Sequence, residues 1–174
     1  MEKETLKRIF DFLEEKGGQN APVKWKLINN IPLKKEELNV KGDLNLAHSN
    51  ITSLPKGLKV GGNFDLRRSK ITSLPEGLKV GGGLNLIGTK ITSLPEGLKV
   101  GGDLFLNNTD ITSLPEDLKV GGSLDLSYSK ITSLPEGLEV HRSLFIKNIA
   151  LLEYTDGELK KMVKPGFIKG KIYR

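Results

Sequence analysis

One phrase, ITSLPEGLKVGG, stands at residues 71–82 and again at residues 91–102, with near-copies beginning at Ile51, Ile111 and Ile131. A more divergent copy begins at Ile31. A fixed period of 20 residues restricts the chain to stacked, near-identical units, because none of them can bury an apolar face alone. Numbered from its isoleucine, each unit places apolar residues at positions 1, 4, 8, 10, 14 and 16. The last pair runs Leu44/Leu46, Phe64/Leu66, Leu84/Leu86, Leu104/Leu106, Leu124/Leu126 and Leu144/Ile146. Spacing by two puts both side chains on one face of a strand. The expected fold is therefore a β-rich α+β solenoid with six parallel strands.

The other invariant letters read as corners. Pro55, Pro75, Pro95, Pro115 and Pro135 stop a helix and stiffen the bend after the inward leucine. The glycine pairs from 61–62 to 121–122 turn the chain into the strand. Ser49, Ser69, Thr89, Thr109 and Ser129 form a column of short hydroxyls suited to satisfying the backbone of the adjoining turn.

This pattern resembles the leucine-rich repeat, in its short bacterial form of about twenty residues, through Ile71, Leu74, Pro75, Leu84 and Leu86 and the same columns of the other units. It is also similar to leucine-rich-like arrays in bacteriophage and bacterial genomes. The departures are Gly77-Leu78 in place of Leu-Pro, a core position shifted at Val80-Gly81, and Ser or Thr in the usual Asn column. They keep a right-handed parallel β-helix open, with Leu-Lys-Val as a second strand per turn. The resemblance implies that partners are bound on the outward face of the strands.

Three regions follow. Residues 1–30 are expected to form an N-terminal cap: a helix with Leu6, Ile9, Phe10 and Leu13 on one face, then a strand at Val23, Trp25 and Leu27 with the tryptophan in the core. Five acidic residues between Glu2 and Glu15 argue against that helix lying on an anionic membrane. Residues 31–150 are the six repeats. Residues 151–174 are expected to form a C-terminal cap, with a capping box at Thr155 and Glu158, a short helix through Leu159, Met162 and Val163, and a basic tail supplying a final strand.

Composition narrows the function. The net charge of +6 divides into +1, +2 and +3 over these regions, too diffuse for the one-sided cluster typical of nucleic-acid binders. With no cysteine there is no disulfide, thiolate metal site or cysteine nucleophile. His48 and His141 stand about five units apart, too far to share a site. The Gly-Gly pairs lack the Lys-Ser/Thr of a phosphate loop. Neither catalysis, a metal nor a cofactor is expected. No leader or membrane span is read, so a soluble cytoplasmic protein is expected, with signal-independent secretion as the other route.

The variable letters carry the functional expectation. His48, Asp65, Arg67, Arg68, Asn85, Phe105, Asn107, Asp125, Tyr128, Phe145 and Lys147 point out of the strands and form the candidate partner-binding set. Aromatic anchors with charge-assisted donors suit a protein partner. The expectation is a non-enzymatic inhibitor or adaptor, monomeric or an end-to-end dimer. The alternatives are a nucleic-acid binder using Arg67, Arg68, the lysine column at position 9 (Lys59, Lys79, Lys99 and Lys119) and the tail, and a secreted effector engaging a host protein.

Overall fold

The computed structural model describes Glu4, Thr5, Arg8 and residues 23–174. The expected N-terminal helix face of Leu6, Ile9, Phe10 and Leu13 lies outside the described residues. The repeats form a parallel β-solenoid built from two sheets of seven strands each. This corrects the expected six strands in one sheet.

The strands are numbered β1 to β14 along the chain, and each is two residues long. The first sheet holds β1 (Asn39–Val40), β3 (Lys59–Val60), β5 (Lys79–Val80), β7 (Lys99–Val100), β9 (Lys119–Val120), β11 (Glu139–Val140) and β13 (Phe167–Ile168). The second holds β2 (Leu44–Asn45), β4 (Phe64–Asp65), β6 (Leu84–Asn85), β8 (Leu104–Phe105), β10 (Leu124–Asp125), β12 (Leu144–Phe145) and β14 (Ile172–Tyr173). Every pairing is parallel, and all but the last in each sheet keep the 20-residue register: Lys59 opposes Lys79, and Phe64 opposes Leu84.

Two strands arise per turn because positions 8 and 10 share the spacing of positions 14 and 16. Leu58 and Val60 point inward as fully as Phe64 and Leu66, all at 1% exposure or less. Isoleucine at position 1 and leucine at position 4 fill the third side, and the columns merge into one continuous core. Between the sheets the chain turns at the glycine pairs. A Cβ on Gly81 would strike the carbonyl of Gly61, and one on Gly101 that of Gly81, so turns stack here backbone against backbone. A second corner lies at position 18, where His48, Arg68, Gly88, Asn108, Tyr128 and Asn148 all take positive φ. Three of the five hydroxyls have the structural role expected of the column: Ser49, Thr89 and Thr109 donate to the carbonyls of Leu46, Leu86 and Leu106 at 2.6–2.7 Å, whereas those of Ser69 and Ser129 are buried with no partner among the described residues.

At the N-terminal end, Val23–Ile28 is a helix, α1, where a strand was expected. Val23 and Leu27 are four residues apart and share a helical face as readily as a strand face. Leu27 is buried, whereas Trp25 is half-buried and is not among the described residues that form the core. Lys26 is also buried, and its Nζ lies 2.6 Å from Oε1 of Glu37. The other oxygen of Glu37 accepts from the Lys34 backbone N–H at 2.8 Å. Burial raises the Glu37 pKa, but the Lys26 and Lys34 hydrogen bonds and charges outweigh it and hold the carboxyl below its ordinary value.

At the other end, Thr155 and Glu158 form the expected capping box at the start of α2 (Asp156–Met162), with Leu159 and Val163 buried. The tail supplies two strands, one to each sheet, where one was expected. Glu139 pairs with Phe167 and Phe145 with Tyr173, 28 residues on instead of 20. The eight additional residues accommodate α2 without breaking either ladder.

Candidate partner-binding surface

The outward side chains of the second sheet fall into three classes that the sequence pattern does not separate. Position 13 serves the backbone: the Oδ1 atoms of Asp43, Asn63 and Asp103 each accept the N–H of the residue twenty positions on, at 2.6–2.7 Å. Position 15 divides in two. Asp65, Asn85 and Asp125 fold back to accept the N–H of Arg67, Ile87 and Ser127 at 2.9–3.1 Å, closing a local turn. These three candidates are half-buried and each has a scaffold duty.

Phe105 and Phe145 occupy the same column and cannot make that bond. Both are half-buried on the outer face. Phe105 stands between two depressions. One, of about 320 Å³, is floored by the glycine corner and reaches Asp103 and Arg142. The other, of about 200 Å³, opens over Gly83 between Asp65 and Asn85. Two turns on, Phe145 stacks on Tyr173 with ring centroids 4.8 Å apart and planes 11° from parallel. Tyr173 was not among the sequence candidates, because the eight-residue offset hides its place in the column. Phe167 likewise meets His141 edge-on at 5.1 Å, on the outer face of the first sheet.

The remaining candidates sit at the exit corner. His48, Arg68 and Tyr128 hold the left-handed position with φ of 58°, 51° and 58°, and all three are exposed. Arg67 pairs with Asp65 at 3.0 Å. Asn107 is half-buried, with Oδ1 buried and lacking a partner among the described residues. Lys147 is exposed, and its backbone N–H bonds to Ser127 Oγ at 3.1 Å. The structure therefore gathers Phe105, Phe145 and the newly placed Tyr173 into one column, with Arg67, Arg68 and Tyr128 along its margin. His48 lies at the far N-terminal end of that margin.

Beyond this face, several charges are locally paired. Asp110 lies 3.5 Å from Lys90 and 2.8 Å from Lys130. The hydrogen bond and charge of Lys130, aided by Lys90, lower its pKa. Lys119 is bonded to Glu139 at 2.7 Å, which raises the lysine's pKa. Among the described residues no group of three or more His, Cys, Asp or Glu is placed to hold a metal ion, and no helix is long and apolar enough to cross a membrane. No family model matches the chain, and no curated protein or solved structure matches it either.

Proposed function

We propose that the protein is a non-enzymatic binding module, an inhibitor or adaptor, that engages a protein partner through the outer face of its second sheet. The observation that carries this reading is Phe105, an outward aromatic flanked by two depressions on a rigid, glycine-cornered scaffold. Interface hot spots are typically aromatic or arginine side chains beside pockets that exclude water. Tyr128 at 44% exposure and Arg67 and Arg68 on the margin extend the surface. A nucleic-acid reading draws less support, because its basic residues are spread over both sheets and the tail, and three of them, Arg67, Lys119 and Arg174, already pair with carboxylates.

The test is capture of partners from a cell lysate at about 0.15 M and about 0.5 M salt, comparing the wild-type chain with a folded Arg67→Glu, Phe105→Ala, Tyr128→Ala variant. The expected result is a discrete protein that survives high salt and is lost with the variant. Nucleic acid that washes off with salt, or a protein held equally by both chains, would overturn the proposal.

A further inference from the structure

The position-13 ladder has a gap in its middle. The N–H groups of Asn63, Gly83, Ser123 and Ser143 each donate to a side-chain oxygen one turn back, at 2.6–3.4 Å. The Asp103 N–H has no acceptor among the described residues, because the side chain that would supply one belongs to Gly83. The backbone does not demand that glycine. Gly83 is not in the left-handed conformation, and Asn63 fills the equivalent place one turn earlier. A Cβ on Gly83 would stand 3.2 Å from the Asp103 oxygen and 3.6 Å from its nitrogen, an approach that a shift of a few tenths of an ångström relieves. The side chain is therefore left out here, whereas at Gly81 and Gly101 the neighbouring carbonyl excludes it.

The gap coincides with the hollow part of the outer face. Asn63, Gly83 and Phe105 line both depressions, so the unanswered N–H lies where they meet. A ligand that brings an oxygen there makes the bond that the scaffold makes for itself in four other turns. The charges around it select the kind of oxygen. Asp65 lines the smaller depression and Asp103 the larger, with Arg142 as the one cation lining either among the described residues. The Asp103 carboxylate gives Oδ1 to the Ser123 N–H and forms no ion pair among the described residues. An acceptor that also carries a donor satisfies both the N–H and these acids; an anion satisfies only the first.

We propose that the Gly83 gap receives the side-chain amide of an asparagine from the protein partner, a reading that rests on the outer-face proposal and names the chemistry at its centre. The amide oxygen accepts the Asp103 N–H, as Asn63 Oδ1 accepts that of Gly83 at 2.7 Å. Its NH2 group serves the carboxylates that line the depressions. Phe105 flanks the site and shields these bonds from water, the role of an aromatic beside a hot-spot pocket. An aspartate in the same place would lack the donor and face two acids. The partner thus completes a ladder that the chain leaves unfinished at one turn.

The probes are asparagine and aspartate, each with an acetylated amino group and an N-methylamide carboxyl end, titrated separately into the isotope-labelled chain. The blocked asparagine is expected to shift the Asp103 amide most, and saturably. It should bind about tenfold more tightly than the blocked aspartate, the scale of one hydrogen bond to a charged group. Gly83→Asn closes the ladder from within, so the Asp103 amide should gain protection from exchange and probe binding should vanish. Gly83→Ala adds a methyl group without an oxygen and should leave Asp103 unprotected. Equal or tighter binding of the aspartate, a largest shift elsewhere, no saturable binding, or binding that persists in Gly83→Asn would each overturn the inference. If Gly83→Asn fails to fold, the wild-type comparison of the two probes still decides. Lysate capture separates the two readings. A partner held equally by wild type and Gly83→Asn leaves the outer face standing and overturns the asparagine subsite. No capture by wild type, with the asparagine probe still bound, overturns the outer-face reading and with it the assignment of that asparagine to a protein.

Discussion

Leu106→Ala is expected to destabilise the protein by about 2–5 kcal/mol, the range for emptying a buried leucine site that its surroundings refill only in part. Leu106 is wholly buried, and so are Leu86 and Leu126, which stand in the same column one turn to either side. Because each turn touches mainly its neighbours, the cavity also weakens coupling between the two halves of the solenoid. Urea unfolding should therefore show a lower midpoint and a shallower, less cooperative transition. The adjacent Phe105→Ala is expected to cost about 1 kcal/mol or less, as an outward site away from the core, while removing the proposed anchor. Equal losses at the two positions would contradict the alternation on which the whole cross-section rests.

Glu37→Gln is expected to cost about 1.5–3 kcal/mol, the scale of a hydrogen bond to a charged group. Lys26 is 1% exposed, and the substitution strips it of the carboxylate oxygen 2.6 Å away. Replacing both residues by apolar ones, Lys26→Met with Glu37→Leu, should restore most of the loss, because the charge and its desolvation go together. The pair also sets an acid limit. The Glu37 pKa is lowered in the folded chain, so its contribution is complete above the ordinary glutamate pKa of about 4.3. It is lost as pH falls from there through the folded value. The protection of the α1 amides, measured relative to their intrinsic exchange at each pH, should fall over that window in wild type and stay level in Glu37→Gln. Unchanged stability of Glu37→Gln would refute a structural role for the pair.

The repeat made the core columns plain, since Leu58, Val60, Phe64 and Leu66 recur at fixed spacing and all point inward. The second strand per turn was legible in Leu-Lys-Val and stood as the alternative cross-section, which the first sheet bears out, whereas the leucine-rich template allots one strand per turn. The segment from Val23 to Leu27 has too few residues for periodicity to separate helix from strand. What fixes it, the Lys26–Glu37 contact across 11 residues, is tertiary. The corner at position 18 was hidden because His48, Arg68 and Tyr128 occupy a left-handed conformation that usually announces itself by glycine. Of the candidate surface, Phe105 and Phe145 could be read from the alternation. Asp65, Asn85 and Asp125 looked like recognition residues because a carboxylate that bonds its own backbone has the same letters as one that awaits a partner.

The central claim is that partners meet the outer face of the second sheet and not the lysine column of the first. A photo-crosslinking residue placed at position 105, and separately at position 79, tests it most directly in the lysate that supplies the partner. The account predicts one discrete protein adduct from position 105, abolished by Arg67→Glu with Tyr128→Ala, and no specific adduct from position 79. A discrete adduct at position 79 with none at position 105 would contradict it and move recognition to the first sheet.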